Sequence, residues 1–264
     1  QLASLNNQNI YLIVRSLKAS DGKNQRGYNL TPGDILKLGR IEYRVIETQV
    51  GTNNLSVKKV AESYKDESFY DADNQIMPTY DQEITCRYCL ETDCAAKGSA
   101  ENLLLFPCKC TGASNGVHFL CLKTWIQHKI VSRSNNSTAT YQWKKLECEV
   151  CKHVLPRMIK HKDQYHELIT VEKPACPYII LEKLSGEQKN SSTLSLIVPT
   201  DHEPIRLGRG HQCDLRISDI SISRVHALLK YKDGKFLLFD NESKFGTLIL
   251  LNKSYEIQND KAAI

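Results

Sequence analysis

Eight residues between positions 86 and 151 can hold metal: Cys86-x-x-Cys89, Cys108-x-Cys110, His118-x-x-Cys121 and Cys148-x-x-Cys151. Thiolate and imidazole donors in close pairs are what tetrahedral zinc requires. Each short pair curls around one side of an ion, and a second pair from elsewhere in the chain completes the tetrahedron. One such pair is weak evidence. Four, in the order four cysteines, one histidine, three cysteines, predict two zinc ions. The chain has 10 cysteines, which leaves Cys94, Cys176 and Cys213 outside the pattern. Three thiols cannot all pair, so a reducing intracellular, cytoplasmic setting fits better than a disulfide scaffold. The sequon Asn136-Ser137-Thr138 then has no meaning. His128, His153, His161 and His166 read as solvated, since the ligand pattern is complete without them.

The elements that must position these ligands are short. Residues 1–61 read as β-rich, with Ile10 to Val14 apolar and the runs Ile35 to Leu38 and Tyr43 to Ile46 alternating about Gly39. Residues 62–83 are acidic and polar, a linker. Residues 84–156 hold the metal module, with the polar stretch Ser132 to Thr140 expected as a loop inside it. Residues 157–176 form a basic connector. From residue 177 to 264 short apolar runs return: Ile179 to Leu181, Leu194 to Val198, Ile205 to Leu207, Val225 to Tyr231, Phe236 to Asp240 and Thr247 to Leu251, with Asp233-Gly234 a hairpin turn. That spacing predicts a β-sandwich.

Bulk properties narrow the function. With 264 residues the chain can hold two or three domains. Its 35 basic and 30 acidic residues give a net charge of +5 without a concentrated basic block, so nucleic acid is not an expected partner. No apolar run approaches the roughly 18 residues of a membrane helix, so no membrane span is expected. The metal module has few large apolar side chains for its length, so zinc binding must supply much of its folding energy and the apo form should be unfolded.

The spacing resembles the RING-CH (RING-variant) family of ubiquitin ligases. The match rests on Cys86-Arg87-Tyr88-Cys89, Cys108-Lys109-Cys110-Thr111-Gly112, Val117 to Ile126 and Cys148-Glu149-Val150-Cys151. A plant-homeodomain finger uses the same ligand order but prefers Trp two residues before the seventh ligand, and here Trp143 lies five before Cys148. The resemblance implies a cross-brace. Cys86, Cys89, His118 and Cys121 would share one ion, and Cys108, Cys110, Cys148 and Cys151 the other. It also implies that the module has no nucleophile. It would position a ubiquitin-charged conjugating enzyme, through Tyr88, Leu122, Trp125 and Lys152. Tyr88 stands where the family carries an aliphatic residue, and Lys152 lacks the bidentate reach of Arg.

Three further elements resemble the forkhead-associated (FHA) domain, a phosphothreonine reader: Ile205 to Arg209, Ser221 to Ala227 and Asp240 to Thr247. The resemblance implies that Arg209 and Ser223, with Arg224 as a helper, face the phosphate, while Gly208 and His226 are structural. Arg suits a phosphate dianion because it supplies several charge-assisted hydrogen bonds. Phe245 replaces the Asn with which the family ties down the peptide backbone. The domain, 177–264, also reads as truncated at its C-terminal end, because the further hairpin with which the family ends does not appear before Ile264. Gly33 to Val45 has the appearance of such a hairpin and reads as the tail of an earlier FHA-like domain.

Two functions follow as expectations. One is a zinc-dependent ligase that recruits phosphothreonine proteins and partners a conjugating enzyme. The other is a non-catalytic scaffold that docks on neighbours in a larger ciliary or cytoskeletal assembly.

Overall fold

A computed structural model describes residues 9–17, 25–50, 69–74, 84–92, 103–112, 115–162, 164–184, 191–199 and 203–251. The strands in chain order are β1 (Tyr11–Ile13), β2 (Tyr28–Asn29), β3 (Ile35–Leu38), β4 (Ile41–Gln49), β5 (Phe69–Asp71), β6 (Leu104–Leu105) and β7 (Val117–His118). Helix α1 (Phe119–His128) comes next. It is followed by β8 (Val131–Ser134), β9 (Thr138–Lys144), β10 (Met158–His161), β11 (Gln164–Glu167), β12 (Tyr178–Leu184), β13 (Ser191–Ile197), β14 (Ile205–Gly208), β15 (Leu215–Arg216), β16 (Ala227–Lys232), β17 (Lys235–Asp240) and β18 (Thr247–Leu250).

The expected β-sandwich is present, but it is assembled from both ends of the described chain. An eight-stranded sheet runs β1-β18-β3-β4-β12-β13-β9-β8, and a five-stranded sheet runs β15-β14-β16-β17-β2. Strands β3 and β4 lie between β18 and β12, with Leu38 opposite Thr247 and Thr48 opposite Ile179. The segment read as the tail of an earlier domain therefore supplies strands to this sandwich, and the truncation expected at its C-terminal end is corrected. The reason is in its alternation. Leu36, Leu38, Tyr43 and Val45 are buried in one core with Leu207, Leu229, Phe236 and Leu238, which the five-stranded sheet supplies. Burying one face at period two fixes the register.

Strand β12 is covered on both sides. Ile179 and Leu181 face the inter-sheet core, while Tyr178 and Ile180 face a second core. That accounts for its unbroken apolar run. The second core also holds Leu105, Val117, Phe119, Leu122 and Ile126 of the metal module, with Ile46, Leu194 and Leu196 of the sheet. The metal module is thus seated on the outer face of the sandwich and does not fold around metal alone.

Two loop expectations change accordingly. The polar stretch Ser132 to Thr140 falls in a hairpin, β8–β9, and β9 pairs with β13 from Thr138–Ile197 to Lys144–Ser191. Its side chains hid it from a hydropathy reading, because β8 is exposed throughout at the sheet edge. The connector is also ordered: β10 and β11 form a hairpin that β5 joins in parallel, so part of the expected linker pairs with part of the expected connector. The remaining positions of the 62–83 linker, apart from residues 72–74, lie outside the described residues. No helix among the described residues is long and apolar enough to cross a membrane.

Candidate metal centres and reader loops

The cross-brace grouping appears in the coordinates. The ligand atoms of Cys86, Cys89, His118 and Cys121 all lie within 4.8 Å of one another, and so do those of Cys108, Cys110, Cys148 and Cys151. Two of the pairs sit in matching knuckles. The Cys86 N–H donates to Glu91 O and the Leu90 N–H to Cys86 O, as the Cys148 N–H does to His153 O and the Lys152 N–H to Cys148 O. Each knuckle needs a left-handed residue just after its second cysteine, supplied by Leu90 at φ 64° and Lys152 at φ 60°. Non-glycine residues rarely adopt that conformation unless the surroundings impose it.

The third pair opens a helix. His118 is the residue before α1 and Cys121 lies in its first turn, where the positive end of the helix favours thiolate. His118 Nδ1 lies 3.2 Å from Cys89 Sγ, so Nδ1 is the ligand nitrogen. The His118 main-chain N–H donates to Cys86 Sγ at 3.4 Å.

Donor chemistry tests the fit to zinc. Burial opposes ionisation of Cys148, yet main-chain N–H groups of Cys151 and Val150 bring its thiol down to about 6. Burial pushes Cys108 up to about 12. Four sulfurs so close cannot all ionise unless a cation sits among them, and a divalent ion at the centre of each tetrad supplies that charge. The residues fit two Zn²⁺, bound structurally with all four positions taken by protein.

Arg87 is a residue whose role the sequence did not reveal. Its guanidinium donates to Cys148 Sγ at 3.3 Å, Cys108 Sγ at 3.7 Å, Cys110 Sγ at 3.8 Å and Asn115 O at 3.1 Å. Burial works against its charge, but the sulfurs win and its pKa is raised. Arg87 follows a ligand of the first tetrad and holds the sulfurs of the second, so it ties the two centres together. Its position beside Cys86 was the only signal for this.

The expected contact residues part company. Tyr88 is 39% exposed and stacks on Trp125, with ring centroids 6.0 Å apart and planes inclined by 27°. Lys129 Nζ lies 4.9 Å from the Trp125 ring centre and 3.2 Å from Glu149. Leu90 and Val150 are exposed on the two knuckles, at 73% and 75%. Leu122 is corrected: it is 1% exposed and belongs to the second core with Ile126. The helix has one inward face, which Leu122 and Ile126 fill, and Trp125 stands at its edge. Lys152 is exposed, and its Nζ donates to Glu149 O at 2.9 Å.

In the sandwich, the three elements meet. The Arg209 N–H donates to Ser223 O at 3.1 Å, and Ser223 Oγ accepts the Lys244 N–H at 3.1 Å. Arg209 and Arg224 are exposed beside Ser223. His226 is buried. Its Nδ1 accepts the Ser223 N–H at 3.1 Å and its Nε2 donates to Gly246 O at 3.2 Å, which fixes the neutral tautomer. Gly208 is required by space, since a β-carbon there would meet Arg224 O at 2.4 Å. Asn241 is committed to its own framework, donating to Val225 O. Phe245 is 55% exposed.

Asp240 organises the last loop. Its carboxylate accepts from the Ser243 hydroxyl and N–H and from the Thr247 hydroxyl and N–H. Of the cysteines outside the ligand pattern, Cys213 is buried and its Sγ donates to Arg224 O at 2.9 Å, whereas Cys176 is exposed. From the other end of the chain, the Arg40 N–H donates to Ser221 Oγ at 2.9 Å and its guanidinium pairs with Asp219 at 3.3 Å.

Comparison with known proteins agrees with this geometry. Residues 86–151 match the model of the RING-variant domain, and residues 205–261 that of the FHA domain. The chain is 41% identical over 83 residues to the E3 ubiquitin-protein ligase MARCHF7 of Rattus norvegicus and of Mus musculus, covering 31% of this chain and 10% of theirs. It is 37% identical over 73 residues to the probable E3 ubiquitin ligase SUD1 of Arabidopsis thaliana, covering 28% of this chain and 5% of that protein. The chain therefore spans a small fraction of the length of these relatives. No solved structure matches. Together these findings establish a zinc-binding RING-variant module and an FHA-type sandwich on one chain.

Proposed function

We propose that this protein is a RING-type ubiquitin ligase that recruits phosphothreonine-bearing clients through its FHA sandwich. It would hold a ubiquitin-charged conjugating enzyme against the RING-variant module. The observation that carries this reading is the stack of exposed Tyr88 on half-buried Trp125, with Leu90 and Val150 also exposed on the two zinc knuckles. Such a patch suits a partner that docks an apolar loop between paired knuckles. Catalysis would come from holding the thioester in a reactive pose, since the module offers no nucleophile. The reader half rests on exposed Arg209 and Arg224 beside the half-buried Ser223. None of the described cysteines is in a disulfide, which supports a reducing intracellular compartment.

The test is reconstituted ubiquitination with activating enzyme, ubiquitin and a broad panel of conjugating enzymes. The wild-type protein should form conjugates, and Trp125→Ala should lose them while retaining its zinc. An inactive wild-type protein across the panel refutes the ligase reading. One observation favours the alternative, a docking scaffold. Lys152 spends its ammonium on Glu149 O, where a ligase of this type needs a cation directed at its partner. Under that reading the wild type is inactive yet still copurifies with a stable assembly through the Tyr88–Trp125 patch.

A further inference from the structure

The loops around Ser223 carry more positive charge than one phosphate needs. Arg209, Arg224 and Lys244 are exposed there, and a fourth cation comes from the opposite end of the chain. The exposed Arg15, in the turn after β1, donates from Nη1 to Ser243 O at 3.4 Å. A β-carbon built on Gly246 would stand 3.9 Å from its guanidinium carbon. Among the described residues none of these four makes an ion pair, whereas Arg40, also supplied by the N-terminal segment, is neutralised by Asp219. Among the described residues Arg15 therefore faces no carboxylate, and its hydrogen bond to Ser243 O uses a single guanidinium donor.

The positions of these cations divide them into two groups. Arg209 and Arg224 flank Ser223 on one side. Lys244 belongs to the 241–246 loop, which Ser223 reaches through its bond to the Lys244 N–H, and Arg15 reaches the same loop from the 14–16 turn through Ser243 O. Lys244 lies over the Phe245 ring at 5.4 Å, which keeps its ammonium close to the loop. A single phosphate dianion is satisfied by two arginines and a hydroxyl. Unneutralised guanidinium beside it suits a second anion, because an exposed neutral carbonyl gains much less from a full charge.

Building on the phosphothreonine reading, we infer that Arg15 forms a second anion-reading position, so that the sandwich selects phosphothreonine peptides bearing another negatively charged side chain. That group is a carboxylate or a second phosphate. The specificity residue thus comes from the segment that completes the fold from the far end of the chain.

The experiment measures binding of labelled peptides to the full chain by fluorescence anisotropy. Three peptides share one phosphothreonine: one has neutral neighbours, one has Asp or Glu neighbours, and one has a second phosphorylated residue. Wild type should prefer an anionic neighbour about tenfold over the neutral peptide, as expected for one charge-assisted contact. Arg15→Gln should abolish the preference while leaving affinity for the neutral peptide in place, and Arg15→Lys should keep part of it. Carboxylate and phosphate arms distinguish the two anion sources. Equal binding of all three peptides by wild type, or a preference that persists in Arg15→Gln, overturns the inference and leaves phosphothreonine reading intact. If wild type binds none of the three, the underlying reading itself fails, and this inference with it.

Discussion

The zinc module and the sandwich close in opposite ways. All eight ligands of the zinc module fall between Cys86 and Cys151, and two ions fix their arrangement. The sandwich has no such clamp. Its central strands β4 and β12 begin at Ile41 and Tyr178, with the whole metal module between them in sequence. One region buys order from metal chemistry within a short stretch; the other needs apolar alternation and the return of a distant segment, at the cost of closing a long loop. They meet through a shared core and through the β8–β9 hairpin, which leaves the zinc module and joins the sandwich sheet. The modules are therefore expected to fail together when either is broken hard, and separately when it is touched lightly.

The largest effect should follow loss of a metal ligand. Zinc contributes on the order of 10 kcal/mol per site in small zinc domains. Cys148→Ser, or a strong chelator, should release zinc and unfold the knuckles that carry the ligands. The exposed core would also lower the melting temperature of the sandwich. Elemental analysis with calorimetry reads both. A sandwich transition unchanged by chelation would show that the shared core contributes little.

Next comes the distant segment. Leu36 is fully buried between the sheets. Leu36→Ala should cost about 3 kcal/mol from lost transfer energy and the cavity left behind. The loss should appear in the denaturation midpoint of the sandwich with zinc content unchanged. If Leu36→Ala has no effect, strands β3 and β4 do not complete this sandwich in solution.

How much of this was legible in the sequence depends on the same contrast. The metal ligands could be read directly because coordination demands particular residues at particular spacing. Asp233-Gly234 could be read for a similar reason, since its turn needs left-handed backbone, seen at φ 51° and 70°. The alternation of Ile35 to Val45 was visible, but its partner was not: periodicity states that a strand has one buried face without stating which sheet covers it. Hairpin β8–β9 was hidden because an exposed edge strand needs no apolar side chains. Leu122 was assigned to the surface because helical spacing alone cannot tell the inner side of a stripe from its rim. Arg87 escaped because its three sulfur partners come from two other knuckles.

A smaller effect tests the junction. At the tip of the hairpin, Asn135 Nδ2 donates to Asp214 O at 2.9 Å and Thr138 Oγ1 donates to the same oxygen at 2.8 Å. Asp214 lies in the loop that follows Arg209, and its carboxylate accepts the Arg206 N–H at 2.8 Å. The zinc module thus reaches the loop that follows Arg209, the arginine proposed to face the phosphate. Thr138→Val removes one hydroxyl donor with little change in volume and should cost about 1 kcal/mol. Phosphopeptide affinity should weaken while zinc content and conjugating-enzyme binding remain. Unchanged peptide affinity would mean that the hairpin braces the sheet without influencing the reader.

The smallest effect concerns pH. Burial lowers the pKa of His226, partly offset by its hydrogen bond to Gly246 O and by the charge of Asp240. A folded-state value below the ordinary 6.5 means that the unfolded chain binds the proton first as pH falls. His226 therefore contributes full stability above its ordinary pKa and loses it progressively down to its folded value. The structural cost is specific, because a protonated Nδ1 would face the Ser223 N–H it now accepts. Replacing His226 with Gln should leave a protein that is less stable at neutral pH but has a flatter stability profile between about pH 5 and 7.5. Zinc release and phosphate protonation also respond to acid, so the informative quantity is the difference between wild-type and His226→Gln denaturation midpoints across that range. That difference should shrink as pH falls. A constant difference would mean that His226 takes up its proton equally in the folded and the unfolded chain and that acid weakens the protein elsewhere, at the zinc ligands.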